Sequence, residues 1–193
     1  MKMEKYPAVF IDRDGTINLE AGYINHPDNF ILYPFAAQAV RLLNIHGILA
    51  VVVTNQAGVG RGYFTEDNVL KLHCKMETEL NAAGAKTDAV YYCPHHVSSK
   101  DPRYAVDCSC RKPKTGMVDK ALAELPIDKN RMFIVGDRKS DIKLGQRAGC
   151  RTYMVKTGYG ISEIDEGFEN PPDVITENLL TAVLDILSLI NKN

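Results

Sequence analysis

Neither sign of charge dominates this 193-residue sequence: 23 lysines and arginines stand against 24 aspartates and glutamates, a formal net charge of −1. With a sequence pI near 6.5 there is no electrostatic footprint for nucleic acid, so any affinity for phosphate must be local. Long apolar runs are missing as well. None approaches the roughly 20 residues of a membrane span. The charged start, Met1 to Pro7, is not followed by the apolar region of about 7–15 residues that a secretory signal carries. A soluble, cytoplasmic protein is expected. Internal repeats and low-complexity tracts are absent, and a length typical of one domain, about 100–200 residues, predicts a single domain over residues 1–193.

What the chain does contain is an alternation of strand-like and helix-like stretches. Strands are predicted at 8–12, 48–53, 88–92, 131–136, 151–155 and 173–175. Ile48 to Val53 and Arg131 to Val135 are continuous apolar runs of the kind that strands buried on both faces show. Thr65 is a good N-cap for a helix with Val69, Leu72, Met76, Leu80 and Ala83 on one face, stopped at Gly84. A second helix is expected from Thr115 to Leu125. Thr176 is read as opening a last one that buries Leu179, Leu180, Val183, Leu184, Leu187 and Ile190. One helix is expected to fill most of Asn18 to Ile48, and Gly158 to Pro172 reads as loop. The alternation predicts an α/β fold of three layers, with a doubly wound, mainly parallel sheet covered on both faces. No interval has room for a large cap domain, so the site should be open. Cys74 and Cys150 are read as inert core residues.

Two constellations carry chemistry. The strand Val9-Phe10-Ile11 runs into Asp12 and Asp14, at the carboxyl edge where open α/β sheets bind ligands. Gly15 permits the turn that returns Asp14 over the same point. Two close carboxylates repel unless a cation neutralises them, and a hard ion such as Mg²⁺ takes one or two carboxylates plus phosphate oxygens. Alone, this D-x-D-G-T could also be an aspartate turn without chemistry. The second constellation is Cys93-Pro94-His95-His96 followed by Cys108-Ser109-Cys110. Three thiols and an imidazole suit a tetrahedral structural Zn²⁺; a disulfide or free thiols are the alternatives, the former disfavoured in a reducing cytosol. A closed four-ligand zinc leaves no position for water, so its task is placement. Cys110 adjoins Arg111 and Lys112, and misplacing a phosphate-holding group by about 1 Å can cost on the order of 100-fold in rate.

Taken in order, D-R-D-G-T (Asp12 to Thr16), T-N-Q-x-G (Thr54 to Gly58), C-x-H, C-x-C, R-K-P (Arg111 to Pro113) and G-D-R-K-S-D (Gly136 to Asp141) form a pattern. From about Pro7 to Gly158 the chain resembles the haloacid-dehalogenase-like (HAD) phosphatases, in their histidinol-phosphatase-related branch. The short, capless chain and long zinc loop are similar to the sugar bisphosphate phosphatases of that branch. The resemblance implies a HAD-like Rossmannoid fold. It also implies Mg²⁺-dependent removal of the C7 phosphate of D-glycero-D-manno-heptose 1,7-bisphosphate through an aspartyl-phosphate, in nucleotide-activated heptose biosynthesis.

By the same resemblance Asp12 is the nucleophile and Asp14 the general acid and base, with Thr54 and Lys112 on the phosphoryl oxygens. Mg²⁺ is held by Asp12, the Asp14 carbonyl and Asp137, while Asp141 orients the surroundings of Asp137 or Lys139. Zn²⁺ is held by Cys93, His95, Cys108 and Cys110, with His96 solvated or at the substrate. Arg13 is structural. Glu20, Ala21, Gly22 and Tyr23 cover the sugar, and Asn55, Gln56 and Ala57 lie beside the transferring phosphate. Arg111 and Arg138 recognise substrate; the planar guanidinium of Arg111 suits the distal C1 phosphate. Ala57, Arg138 and Lys114-Thr115-Gly116 stand where relatives often have Ser, Lys and x-Pro-Gly, and no catalytic group is lost. A histidinol-phosphate phosphatase would share every catalytic residue. A phospho-acceptor signalling domain would have no use for Asp14. The expected partner is a small phosphorylated sugar, with neither nucleic acid nor membrane, and the expected state is a monomer.

Overall fold

The computed structural model describes residues 4–191, so Met1 to Met3 of the charged start lie outside the described residues. Six strands form one sheet: β1 (Tyr6–Ile11), β2 (Leu49–Asn55), β3 (Ala89–Cys93), β4 (Ile127–Gly136), β5 (Arg151–Val155) and β6 (Val174–Thr176). Their order is β3-β2-β1-β4-β5-β6, and every neighbouring pair is parallel. The expected mainly parallel sheet is thus wholly parallel.

Seven helices accompany it: α1 (Ala36–Ile45), α2 (Ala57–Gly60), α3 (Glu66–Ala82), α4 (Gly116–Glu124), α5 (Lys139–Ala148), α6 (Gly160–Asp165) and α7 (Leu179–Ile190). Side chains alternate across a strand, and β1 shows what each face meets. Val9 and Ile11 join one core with Val40 and Leu43 of α1, Leu72 and Met76 of α3, and Val183 and Ile186 of α7. Ala8 and Phe10 join the other with Met117, Val118 and Ala121 of α4 and Leu144 of α5. These are the three layers, and each large apolar side chain so buried stabilises the fold by about 1.5–3 kcal/mol.

The strand order reverses direction between β1 and β4, and a crevice opens outside the carboxyl ends of strands at such a switch point. Asp12 follows β1 and Asp137 follows β4. The Asp12 N–H donates to Val135 O at 2.9 Å, which ties the two strand ends together.

Several local expectations differ from the structure. Most of Asn18 to Ile48 is not helix: α1 occupies only its latter part, and residues 19–35 form an irregular strap with a short 3₁₀ turn at Pro27–Asn29. Gly22 and Pro27 break the periodicity there, and the strap is pinned instead by Leu19 N to Ile31 O (2.9 Å) and Tyr33 N to Ile17 O (3.0 Å). Thr176 does not open the last helix, because it pairs with Val155 as the end of β6. Asn178 is the cap, accepting from Thr181 N at 3.1 Å while Thr181 Oγ1 accepts from Asn178 N at 3.0 Å. Leu184 is exposed and Ile186 buried in its place. Gly158 to Pro172 is not all loop, since it contains α6. Thr65 caps α3 through a reciprocal pair with Asn68, but Ala83 lies exposed beyond the helix end and His73 joins the buried face. Cys74 is exposed rather than core, whereas Cys150 is buried.

Candidate active site

Asp12 is nearly buried at the end of β1, and its Oδ1 accepts from Arg13 N at 2.7 Å. The same oxygen lies 2.7 Å from Lys112 Nζ, which also meets Asp141 Oδ1 at 2.7 Å and donates to Val53 O at 3.0 Å. Lys112 is carried there by the segment before α4. Its backbone is clamped by Asn55, whose Oδ1 accepts from Lys112 N at 3.0 Å and whose Nδ2 donates to Lys112 O at 3.3 Å. Thr54 is buried one residue earlier on β2, its Oγ1 accepting from Gln56 Nε2 at 2.8 Å.

Asp137 is fully buried. One carboxylate oxygen, Oδ2, accepts from Tyr159 N at 2.8 Å, while Oδ1 is buried without a hydrogen-bond partner. Gly15 has φ +82°, and a Cβ there would collide with Asp137 Oδ2. The turn after Asp14 thus needs glycine both for its conformation and for this approach.

The carboxylates of Asp12, Asp137 and Asp141 each offer an oxygen within 4.8 Å of the others. Three carboxylates thus crowd around the Lys112 ammonium. Burial, and after it the neighbouring carboxylates, push Asp12 and Asp137 above the ordinary carboxylate range, while Asp12 and Asp141 hold Lys112 protonated despite its burial. An orphaned buried oxygen among crowded carboxylates with raised proton affinity fits a divalent, oxygen-seeking cation.

Asp14 stands apart from this cluster. Arg13, almost wholly buried, grips it with Nε to Oδ1 at 3.1 Å, Nη2 to Oδ1 at 2.9 Å and Nη2 to Oδ2 at 2.8 Å. Asn18 Nδ2 and Gln56 Nε2 add bonds at 3.0 and 2.9 Å. Burial raises the Asp14 carboxyl, but Arg13 and these hydrogen bonds outweigh it and hold the group below its usual value. Sequence reasoning treated Arg13 as structural and Gln56 as a substrate contact. Both buttress Asp14, and Asn18 was missed. Asp141 does not orient Lys139, which pairs with Glu166 at 2.7 Å; it faces Lys112 and the cluster.

Above these groups lies a cleft of about 370 Å³ lined by Glu20, Gly22, Tyr23, Asn55, Gln56, Ala57, Arg111 and Arg138 among others. Ala21 is exposed on the strap and is not among the lining residues. Arg138 stacks on the Tyr159 ring at 3.7 Å and faces Glu20 at 3.8 Å. Tyr159, Phe64 and Arg61 also line the cleft and were not anticipated; only the position of Arg61 shortly after the T-N-Q stretch could have signalled it.

Beside the cleft, Cys93, His95, Cys108 and Cys110 offer ligand atoms all within 4.8 Å of one another. The cysteines are free, and the separations are 3.5 Å for Cys93 Sγ to Cys108 Sγ, 3.7 Å for Cys93 Sγ to His95 Nδ1 and 3.3 Å for His95 Nδ1 to Cys110 Sγ. A tetrahedron with bonds of about 2.0–2.3 Å has edges of about 3.3–3.8 Å, and these three separations match a zinc ion. The loop is tied to α3 by Glu66, which accepts from Tyr92 OH at 2.7 Å and Tyr104 OH at 2.8 Å. His96 turns away from the thiols: its Nδ1 accepts from Ser98 N at 3.1 Å and its Nε2 lies 2.9 Å from Arg61 Nη2.

Known proteins resemble this chain in sequence and in fold. The profile of the HAD-hydrolase-like family matches residues 109–182. A D-glycero-beta-D-manno-heptose-1,7-bisphosphate 7-phosphatase of Pasteurella multocida is 45% identical over 157 residues, covering 81% of this chain and 85% of the relative. The protein of the same name from Haemophilus influenzae is 38% identical over 186 residues, 96% and 97% of the two chains. Among solved structures, a D,D-heptose 1,7-bisphosphate phosphatase from B. bronchiseptica complexed with magnesium and phosphate superposes with a TM-score of 0.84 at 30% identity, covering 95% of this chain and 99% of that one. The chain belongs to the HAD-like phosphatases, in the family of the D-glycero-D-manno-heptose-1,7-bisphosphate 7-phosphatases.

Proposed function

We propose that the protein hydrolyses the C7 phosphate of D-glycero-D-manno-heptose 1,7-bisphosphate, leaving heptose 1-phosphate. The observation that carries this is the meeting of Asp12, Lys112 and the Asp137–Asp141 carboxylates under one cleft that three arginines, Arg61, Arg111 and Arg138, line. Phosphate esters resist hydrolysis strongly, and covalent catalysis divides that barrier. A carboxylate oxygen of Asp12 forms a bond to phosphorus as the bond from phosphorus to the C7 oxygen breaks. Asp14 delivers a proton to the departing alkoxide, which leaves as the sugar hydroxyl. Asp14 then takes a proton from water, whose oxygen attacks phosphorus and releases inorganic phosphate from Asp12.

In the resting site Arg13 keeps Asp14 ionised. Entry of an anionic phosphoryl group beside it raises its affinity for a proton, which suits the first step. Lys112 and the Thr54 hydroxyl meet the charge on the phosphoryl oxygens. Mg²⁺ bound by Asp12, Asp137 and the Asp14 carbonyl would supply positive charge there. Zn²⁺ on Cys93, His95, Cys108 and Cys110 would hold Arg111 and Lys112 in place. These are roles for residues of one domain, with a small phosphorylated sugar as partner. Among the described residues no helix is long and apolar enough to cross a membrane.

Histidinol phosphate, which carries an ammonium group, fits the arginine-lined cleft less well than a second phosphate does. A comparison of both heptose 1,7-bisphosphate anomers, fructose 1,6-bisphosphate and histidinol phosphate tests the reading. The heptose bisphosphates should give the highest kcat/KM, and a preference for histidinol phosphate would overturn it.

A further inference from the structure

We propose that Arg61 is a specificity-determining residue: with Arg111 it forms a cluster of guanidinium donors for the phosphate that remains on the product. This rests on the bisphosphate reading above. The cluster is built by docking α2 onto the zinc loop. Gly60 N donates to Pro94 O at 2.9 Å, and a Cβ at Gly60 would come within 2.9 Å of both Pro94 O and His96 N, so the two backbones touch where only glycine fits. The next residue, Arg61, is thereby set against the loop, its guanidinium over the Tyr23 ring at 5.9 Å.

Arg61 Nη2 lies 2.9 Å from His96 Nε2, a contact that holds the guanidinium at the edge of the zinc loop. Arg111 is placed from the adjoining residue, donating Nη1 to His95 O at 3.2 Å. No carboxylate pairs with Arg61 or Arg111 among the described residues, whereas Arg138, the third arginine of the cleft, has Glu20 before it. A guanidinium carries five N–H donors, so both arginines keep most of theirs for a ligand, and two guanidiniums balance a phosphate dianion. The consecutive residues His95 and His96 would divide two tasks: His95 turns its Nδ1 to the thiols, and His96 meets the guanidinium of Arg61.

The experiment compares kcat/KM for heptose 1,7-bisphosphate and heptose 7-phosphate in the wild type, Arg61→Ala and Arg61→Lys. Arg61→Ala should reduce the preference for the bisphosphate by roughly 10–100-fold, the span of a hydrogen bond to a charged group, chiefly through KM. The loss on heptose 7-phosphate should be much smaller. Arg61→Lys should restore part of the preference, since it returns the charge without the fork. A wild-type preference that survives Arg61→Ala overturns the proposal and leaves the bisphosphate reading standing. Equal losses on both substrates also overturn it, by placing Arg61 behind the reacting centre or the fold. Absence of any wild-type preference overturns the bisphosphate reading, and the subsite with it.

Discussion

The carboxylates of Asp12, Asp137 and Asp141 sit at or just beyond the ends of buried strands, whereas Cys93, His95, Cys108 and Cys110 gather around a loop whose apolar residues Val97 and Val106 face solvent. The first cluster is positioned by the sheet whether or not an ion is present, and its three carboxylates crowd around one ammonium, Lys112. The second is a closed set of ligands at tetrahedral spacing, on a segment without a core of its own. The difference teaches where each ion's binding energy goes. On the proposed reading, an ion in the first cluster would serve chemistry and one in the second shape.

The largest expected effect comes from Asp12→Asn. An amide cannot form the acyl phosphate, so kcat should fall by at least about 1000-fold, a barrier rise of ~4 kcal/mol. The melting temperature should hold or rise, because one of three mutually repelling carboxylates is gone. Retention of more than about a tenth of the wild-type kcat would give the nucleophile's role to another group.

A smaller effect, of the opposite kind, is expected from Cys108→Ser. Zinc content should drop together with Tm, by about 5–10 °C if the ion contributes ~2–3 kcal/mol in a chain of this size. The kcat/KM for the bisphosphate should fall by roughly 10–100-fold as Arg111 and Lys112 lose their placement. Unchanged Tm and zinc content in this variant would erase the contrast between the clusters.

Much of this architecture could be read from residues alone. The strands were visible because a parallel sheet buries both faces, leaving apolar runs such as Ala50 to Val53. The pairing of the Cys93 and Cys108–Cys110 segments was visible from spacing and residue type, whereas the choice of His95 over His96 rested on the resemblance, and it is His95 that the structure brings to the thiols. The strap over 19–35 was not, because Leu19, Ile24, Phe30 and Ile31 imitate a helical stripe while Gly22 and Pro27 decide the backbone. The side of α7 that faces the core was partly hidden for a related reason: with Leu184 apolar on the outer side as well, the pattern does not distinguish Leu184 from Ile186. Within the site, sequence neighbours misled. Arg13 is adjacent to both aspartates, yet only the fold reveals that it grips Asp14 and that Gln56 and Asn18 complete the grip. Asp141 follows Asp137 at helical spacing, but the ammonium it meets, Lys112, arrives from across the sheet.

The division between the clusters is tested most directly by metal content and activity measured on the same sample. After dialysis against a chelator weak enough to strip Mg²⁺ alone, the protein should retain about one zinc per chain, keep its Tm and show no phosphatase activity, and Mg²⁺ by itself should restore full turnover. Activity that persists without Mg²⁺, or that returns only when zinc is added, would contradict the assignment of chemistry to the carboxylates and of placement to the thiols.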